Sequence, residues 1–117
     1  MAAKKAGSKG GATTKTGVRG SRTGRPIMVL LDLLGRRWTL RIVWELRDGP
    51  LTFRALQDAV EGVSPSVLNE RLRALREADL VDRSEGEGYV LTSRALELAD
   101  LLLPLDTWAK NWARRAR

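Results

Sequence analysis

The chain of 117 residues contains neither cysteine nor histidine. It therefore cannot form disulfides, switch through a thiol, use a thiolate nucleophile or bind zinc through the usual ligands. The commonest general base of enzymes is also missing, and the acidic residues are scattered. No glycine-rich loop of the phosphate-binding kind stands between a strand and a helix. We therefore expect no enzymatic activity, no metal and no cofactor.

Long apolar runs are missing as well. Residues 27 to 34 form an apolar stretch that is interrupted by Asp32 and is too short to cross a bilayer. The N-terminal residues lack the apolar core of a signal peptide. The length suits one domain with a modest core. These features predict a soluble, cytoplasmic protein that has no membrane partner.

Acidic residues are absent from residues 1 to 25, which carry seven lysines and arginines. The net charge of the whole chain is +7, so the remaining basic and acidic residues balance. A segment of glycine, alanine, threonine and basic residues cannot bury enough apolar surface to offset its ordering entropy. We predict a disordered basic arm over 1–25 and a folded domain over 26–117. The arm is either a solvated tail or an arm that binds DNA phosphates without reading sequence.

Proline, serine and threonine mark the starts of the predicted helices. Pro26 suits the first position of a helix that Gly35 ends. Each later helix follows a hydroxyl side chain that can accept a hydrogen bond from a free backbone N–H group. The predicted caps and helices are Thr39 before 40–47, Thr52 before 53–60, Ser64 before 65–78, and Thr92 before a long helix from residue 93.

Two short strands, over 80–83 and 89–91, flank a turn and predict a hairpin. In the last helix, Pro104 lacks an N–H group and should kink the helix or divide it near Leu103. The order of elements predicts an α+β domain that is mainly helical. Its parts are a helix-turn-helix, a two-stranded hairpin wing and a long C-terminal dimerisation helix.

The helix that starts after Ser64 has one apolar and one polar edge. Its leucines can pack on the preceding helix, which leaves the polar edge outward. Polar residues early in the second helix after a tight turn are those that meet base edges in the major groove. A merely solvated face is the alternative, but the hairpin and the preceding helix complete a winged helix and favour DNA reading. The candidate base-reading residues are Ser64, Ser66, Asn69, Glu70 and Arg73.

Other arginines are candidates for contacts with DNA phosphates. Arg36 and Arg37 precede the second helix, and Arg54 lies early in the third, where helix N-termini favour anions. The alternative for all three is surface charge or an ion pair with a nearby acid. Arg71 lies near the apolar edge of its helix, where we expect a structural ion pair instead of a DNA contact.

The last helix carries a row of apolar residues spaced by three and four positions, as in coiled coils. Such a row is either ordinary core or a seam between subunits. The first helix is apolar on more faces than one small domain can cover, and readers of half-sites are usually symmetric dimers, which favours the seam. The predicted dimer residues are Ile27, Leu30, Leu31, Leu98, Leu101, Leu105, Trp108 and Trp112.

Several segments together resemble the HxlR-type winged helix-turn-helix regulators of the MarR-like superfamily. They are LDLLGRRWT (31–39), VWELRDGP (43–50), LTFRAL (51–56), GVSPSVLNERLRAL (62–75), ADLVDR (78–83) and YVLT (89–92). The resemblance covers about residues 27 to 112. It implies a bacterial transcription regulator that acts as a homodimer on a palindromic operator. It also implies dimerisation through the first and last helices and base reading by the helix at Ser64.

Two departures from the family pattern limit what the resemblance implies. Many members carry a cysteine near the first helix, and this chain has none, so thiol sensing is not implied here. The family hairpin is usually longer and basic, whereas this one is short and carries Glu85 and Glu87 at its tip. Carboxylates repel DNA phosphates, so we do not expect this tip to enter the minor groove.

Two other functions fit the same sequence. The chain can be an architectural or weakly specific DNA-binding protein that uses its basic arm, or a winged helix that contacts only proteins. A cavity between subunits could hold an apolar effector, but no set of residues identifies one.

Overall fold

The computed structural model describes residues 24–86 and 88–116. The chain divides after Leu40 into two compact units. Almost the whole predicted arm lies outside the described residues, so the boundary at residue 25 stays a prediction. Helix α1, Pro26–Leu34, belongs to the first unit and begins, as predicted, with proline at its first position.

The other elements follow the predicted order of helices, hairpin and long terminal helix. They are α2 Thr39–Leu46, β1 Leu51–Thr52, α3 Phe53–Ala59, α4 Pro65–Glu77, β2 Val81–Arg83, β3 Gly88–Leu91 and α5 Ser93–Arg115. The predicted fold class is confirmed: a mainly helical winged helix-turn-helix with a long C-terminal helix.

Three of the predicted helix caps are confirmed. The hydroxyl groups of Thr52, Ser64 and Thr92 each accept a hydrogen bond from the backbone N–H three residues further along the chain. The distances are 3.0, 3.2 and 3.1 Å. The cap at Thr39 was wrong. Helix α2 begins at Thr39 itself, and the Thr39 N–H donates to the Arg36 carbonyl at 3.1 Å, so Thr39 is a helical residue and not the residue before the helix. Its buried hydroxyl has no hydrogen-bond partner among the described residues.

The hairpin belongs to a three-stranded antiparallel sheet with the order β1-β3-β2. Val81 faces Leu91 across the hairpin, and Leu51 of β1 faces Tyr89. The third strand was not predicted, because two residues are too short to show an alternating pattern and their partners lie far along the chain.

The core of the second unit lies where α2, α3, α4 and the sheet direct their apolar side chains inward. The predicted leucine edge of α4 is confirmed: Leu68, Leu72 and Leu75 are all buried. Side chains from the neighbouring elements share this burial, namely Ile42, Val43, Leu46, Leu56, Val60, Val63, Leu80, Val81, Tyr89, Leu91, Ala95 and Ala99. The guanidinium of Arg41 in α2 donates to the Ala59 carbonyl at 2.7 Å and so ties α2 to the end of α3.

A compact cap ends α4 and joins it to α5. Asp79 adopts the left-handed conformation with φ +63°, and Leu80 N donates to the Leu75 carbonyl at 2.9 Å. This is the bonding pattern of a Schellman motif, in which a residue after the helix satisfies its last carbonyls. The Thr92 hydroxyl donates to the Asp79 carbonyl at 2.8 Å, which links the start of α5 to this cap.

Helix α5 continues from Ser93 to Arg115 through Pro104. Of the two predicted effects of Pro104, the division near Leu103 is therefore excluded, whereas a kink stays a prediction. Proline deprives the Asp100 carbonyl of its donor, but Asp100 and Pro104 are both exposed, where water can hydrate that carbonyl. Across the described residues, no helix combines the length and the apolar character needed to span a bilayer.

Candidate nucleic-acid interface

The polar face of α4 lies on the side of the helix opposite a buried row of leucines. Ser64 caps the helix and Pro65 occupies its first position, so the start of α4 is fixed by local bonds. Leu72 is only 2% exposed on the inner edge. Because the inner edge cannot rotate without exposing these leucines, the outer edge is held in one orientation.

The structure places the predicted base-reading residues on this outer edge. Ser66, Asn69, Glu70 and Arg73 are all exposed, and together they line one concavity. Ser64 is exposed as well, but its hydroxyl accepts the Val67 N–H and lies 3.5 Å from that of Ser66. Four of the five predicted residues are thus brought to one surface, and the fifth is occupied in capping the helix.

Ion pairs modify the charge of this face. Arg73 lies 3.4 Å from Glu77 one turn along the helix, and both side chains are exposed. Arg71 lies 3.4 Å from Glu70, which agrees with the ion pair expected for Arg71. Exposed pairs of this kind contribute little to stability, so a phosphate or a base can compete for Arg73 at small cost.

The predicted phosphate-binding arginines lie in both units. In the first unit, Arg36 and Arg37 are exposed, and the Arg37 guanidinium lies 4.5 Å from the centroid of the Trp38 ring. In the second unit, Arg54 is exposed in the first turn of α3, just after the Thr52 cap. Arg54 does not line the concavity on α4.

Sequence reasoning missed three residues that line the same concavity, Arg76, Arg83 and Tyr89. Arg83 of β2 faces Tyr89 of β3 in the hairpin register, and its guanidinium donates to the Tyr89 hydroxyl at 3.1 Å. The pairing of an arginine before the turn with a tyrosine after it was a usable signal, because hairpin register predicts cross-strand neighbours. The approach of α4 to the hairpin has no such signal in the sequence.

The tip of the wing carries Glu85, which is exposed. The second predicted tip carboxylate, Glu87, lies outside the described residues. Ser84 N donates to the Gly88 carbonyl at 2.9 Å and closes the turn, and Gly86 takes φ +91°, a conformation that favours glycine. The described part of the tip therefore exposes a carboxylate and carries no lysine or arginine.

The predicted dimer row of α5 is largely uncovered. Leu101 is 71% exposed, Leu105 54%, Trp108 60% and Trp112 59%, while Leu98 is half-buried. The rings of the two tryptophans stack with their centroids 6.1 Å apart.

In the first unit, helix α1 also presents apolar side chains to solvent. Ile27 and Leu31 are both more than half exposed, and Leu30 is half-buried. Within residues 24–86 and 88–116, no three acidic side chains are grouped so that they can hold a metal ion.

Helix α4 follows α3 across a short turn and precedes a hairpin, which defines a winged helix-turn-helix protein. The model of the HxlR-like helix-turn-helix family matches residues 33–117, more than half of the chain. The chain therefore belongs to the HxlR-like helix-turn-helix family.

Relatives and solved structures agree with this family. YvaP, an uncharacterized HTH-type transcriptional regulator of Bacillus subtilis, is 32% identical over 88 residues, which are 70% of this chain and 82% of the relative. A second such regulator, from Methanocaldococcus jannaschii, is 27% identical over 89 residues, 73% of this chain and 83% of its own. The crystal structure of quinone-bound YodB from Bacillus subtilis superposes with a TM-score of 0.68 at 31% identity, over 74% of this chain and 98% of that one.

These matches show what class of protein the chain is. It is a transcription regulator with a helix-turn-helix DNA-binding domain, and the predicted family resemblance is confirmed. The relatives that the chain matches are transcription regulators.

Proposed function

We propose that the chain is a homodimeric regulator that reads a palindromic DNA operator with α4. The carrying observation is that Ser66, Asn69, Glu70 and Arg73 are exposed together over a fully buried leucine row. In this proposal Arg73 binds guanine through two hydrogen bonds, Asn69 reads adenine, Glu70 accepts from cytosine, and Ser66 contacts a base or a phosphate. Ser64 fixes the start of the helix in the groove. A DNA-bound role places the protein on the nucleoid in the cytoplasm.

Phosphate contacts complete the proposed interface. Arg54 lies at the N-terminal turn of α3, where the helix dipole and the guanidinium both attract an anion. Arg36 and Arg37 are assigned the same role in the first unit. Contacts of this kind fix the position of the protein on the duplex without reading sequence.

The proposed dimer forms through the apolar surfaces of α1 and α5. Leu98, Leu101, Leu105, Trp108 and Trp112 present a continuous row at coiled-coil spacing, and most of them are more than half exposed. Exposed apolar surface of this extent usually marks an interaction site. Ile27, Leu30 and Leu31 supply the corresponding surface of α1. Two α4 helices related by a dimer axis would read the two halves of a palindrome.

An effector remains part of the proposal only in a limited form. One structure of the relative YodB is quinone-bound. This chain has no cysteine, so an effector here must bind without forming a bond to a thiol. The proposal therefore includes reversible binding of a small apolar molecule and excludes thiol-based sensing.

The test is selection of a binding site by the full chain from a library of random duplexes, followed by footprinting of the selected site. We expect a palindrome with half-sites about one helical turn apart, or a multiple of it. Asn69→Ala and Arg73→Ala should then lose preference at separate positions of each half-site. Arg94→Ala is the matched control, because Arg94 is also exposed and also forms one exposed ion pair, with Asp79.

Substitution of the seven basic arm residues by glutamine separates this function from an architectural one. A sequence-specific reader should keep its operator preference and lose affinity uniformly. An architectural protein should lose most of its binding and show no selected motif. If α4 serves only protein contacts, the Asn69 and Arg73 variants should bind DNA as the unsubstituted chain does.

A further inference from the structure

Pro104 interrupts the hydrogen bonding of α5 beside its exposed apolar row. Because proline has no N–H group, the Asp100 carbonyl lacks the donor that residue 104 supplies in an unbroken helix. Asp100 and Pro104 are both exposed, so in a single copy of the chain water can hydrate this carbonyl. A molecule that covers this side of α5 removes that water, and the carbonyl then needs another donor.

The carbonyl without a donor lies at the flank of the apolar row. Residues three and four positions apart are neighbours on the surface of a helix. Pro104 comes three residues after Leu101 and four before Trp108, so it lies beside these two members of the row. The Asp100 carbonyl points along the helix toward Pro104 and shares its position. An interface formed by the row therefore also covers this carbonyl.

The apolar row is nearly symmetric about its own centre. Leu105 is its middle member, and the outermost members, Leu98 and Trp112, are equally far from Leu105 along the chain. A second copy of α5 that runs in the opposite direction can therefore place its Trp112 opposite Leu98 and its Trp108 opposite Leu101. This is the reciprocal contact of a two-fold interface, in which each copy uses the same surface.

The charges of α5 favour this opposite orientation. Glu97 and Asp100 are exposed near its start, and in the described part of the chain neither forms an ion pair. Arg114 and Arg115 are exposed near its end. Helices that run in the same direction bring like charges together, whereas opposite directions bring each acidic half to a basic half. The other charged side chains of α5 are engaged within the chain, Arg94 with Asp79 and Lys110 with Asp106.

Trp108 carries a donor of the kind that the Asp100 carbonyl lacks. Its side chain is 60% exposed, and among the described residues its indole N–H donates to no acceptor. An indole N–H usually finds a hydrogen-bond partner once it is buried. In the opposite orientation the Trp108 of one copy lies opposite Leu101 of the other, next to the Asp100 carbonyl. A carbonyl without a donor thus meets an indole without an acceptor.

We propose that two copies of α5 pack in opposite directions about Leu105, and that the Trp108 indole N–H of each copy donates to the Asp100 carbonyl of the other. The dimer then contains two such bonds, related by its two-fold axis. Trp108 determines the register of the interface, because only this register brings an indole to the carbonyl that Pro104 leaves without a donor. This inference rests on the proposed homodimer and adds the orientation of its helices and the contact that fixes it.

The first test measures the dimer dissociation constant of the full chain by sedimentation velocity over a dilution series. Trp108→Phe removes the N–H group but keeps an aromatic ring. It should raise the constant about tenfold or more, because two bonds are lost and two covered carbonyls are left without a donor. Trp112→Phe is the matched control in the same row, since it lies opposite a part of α5 without proline. It should raise the constant about threefold or less, as expected for a peripheral contact.

Pro104→Ala tests whether the Asp100 carbonyl is the acceptor. Alanine returns an N–H group to position 104, so the carbonyl is satisfied within its own helix. In the Pro104→Ala background, Trp108→Phe should therefore raise the dissociation constant no more than Trp112→Phe does. Circular dichroism verifies that every variant keeps its helical content.

Crosslinking reports the orientation of the helices, because the chain has no cysteine of its own. Leu105→Cys and Leu98→Cys each place one thiol on the row. In the proposed dimer the two thiols at position 105 lie beside each other, whereas those at position 98 are about 21 Å apart along the helix axis, at about 1.5 Å per residue. A thiol crosslinker that spans about 10 Å, the separation of two packed helices, should therefore join only the Leu105→Cys copies.

Three results would overturn the inference. Trp108→Phe and Trp112→Phe weaken the dimer equally, or the effect of Trp108→Phe persists in full with Pro104→Ala, or Leu98→Cys crosslinks as efficiently as Leu105→Cys. Each of these results needs a dimer, so each leaves the proposed homodimer standing. A chain that stays monomeric throughout the dilution series refutes the homodimer, and this inference with it.

Discussion

Helices α4 and α5 carry the same kind of leucine row, but the two rows differ in their burial. In α4 the row is buried within the chain, and Leu68 and Leu75 have no exposed surface. In α5 only Ala95 and Ala99 are buried, and the row beyond them is open to solvent. The pattern of apolar residues alone therefore does not tell a buried row from an exposed one. What distinguishes the two is whether the rest of the fold has enough apolar surface to cover the row.

The largest expected effect comes from a substitution in the buried leucine row of α4. Leu72→Ala should lower the free energy of unfolding by about 2–5 kcal/mol, because it leaves a cavity in a core that can collapse only partly. Urea denaturation measures the loss. Leu101→Ala is the matched control on the exposed row, and in protein dilute enough to be monomeric it should change the free energy of unfolding by less than about 0.5 kcal/mol. Equal losses would show that the two rows do not differ in burial.

The next largest effect is expected on the proposed dimer, from a substitution in the exposed row of α5. Trp108→Glu places a charge in the proposed seam and should raise the dimer dissociation constant by about 30-fold or more, as expected for a central aromatic residue. Sedimentation velocity follows the shift from dimer to monomer. Thr107→Glu adds the same charge to a neighbouring position outside the row and should leave the dimer intact. An unaltered dimer in the Trp108 variant would contradict the seam.

A third effect concerns the polar face that the buried row supports. Arg73→Ala should cost about 1–3 kcal/mol at one base position of the selected site if Arg73 binds a guanine through two hydrogen bonds. Competition binding with single-base variants of that site measures the loss position by position. A uniform loss across all sequences, similar to that of Arg94→Ala, would mean that Arg73 contacts only the backbone.

The smallest effect concerns how α4 begins. Ser64→Ala removes the oxygen that accepts the Val67 N–H and should cost about 1 kcal/mol of stability. Ser66→Ala, in the first turn of the same helix, should be nearly neutral, because its hydroxyl lies 3.5 Å from that of Ser64 and accepts no capping bond from the backbone. Thermal unfolding of both variants decides the matter. Equal midpoints would show that Ser64 does not cap the helix.

Local signals predicted most of this fold. The caps at Thr52, Ser64 and Thr92 and the proline at position 65 act within one helical turn, so the sequence contains all the information they need. The hairpin is equally local, since its strands are joined by a short turn. These features explain why the polar face of α4 could be assigned before the structure was known.

Features that depend on distant contacts were not predicted. Strand β1 exists because Leu51 pairs with Tyr89, far along the chain. The cap at Thr39 was wrong because the preceding turn, and not the hydroxyl alone, decides where α2 begins. Whether Pro104 divides α5 depends on the surrounding solvent, which the sequence pattern does not show. Arg76 and Arg83 entered the site only when α4 and the hairpin were seen to share one concavity.

The hydroxyl of Thr92 belongs to two helices at once. It accepts from Ala95 at the start of α5 and donates to Asp79 in the turn that closes α4, while the Thr92 N–H reaches the Leu80 carbonyl. These bonds therefore join the start of α5 directly to the residues that follow α4. We therefore expect a displacement of the base of α5, for example when its exposed row contacts another surface, to be transmitted to the C-terminal end of α4, the helix proposed to read DNA.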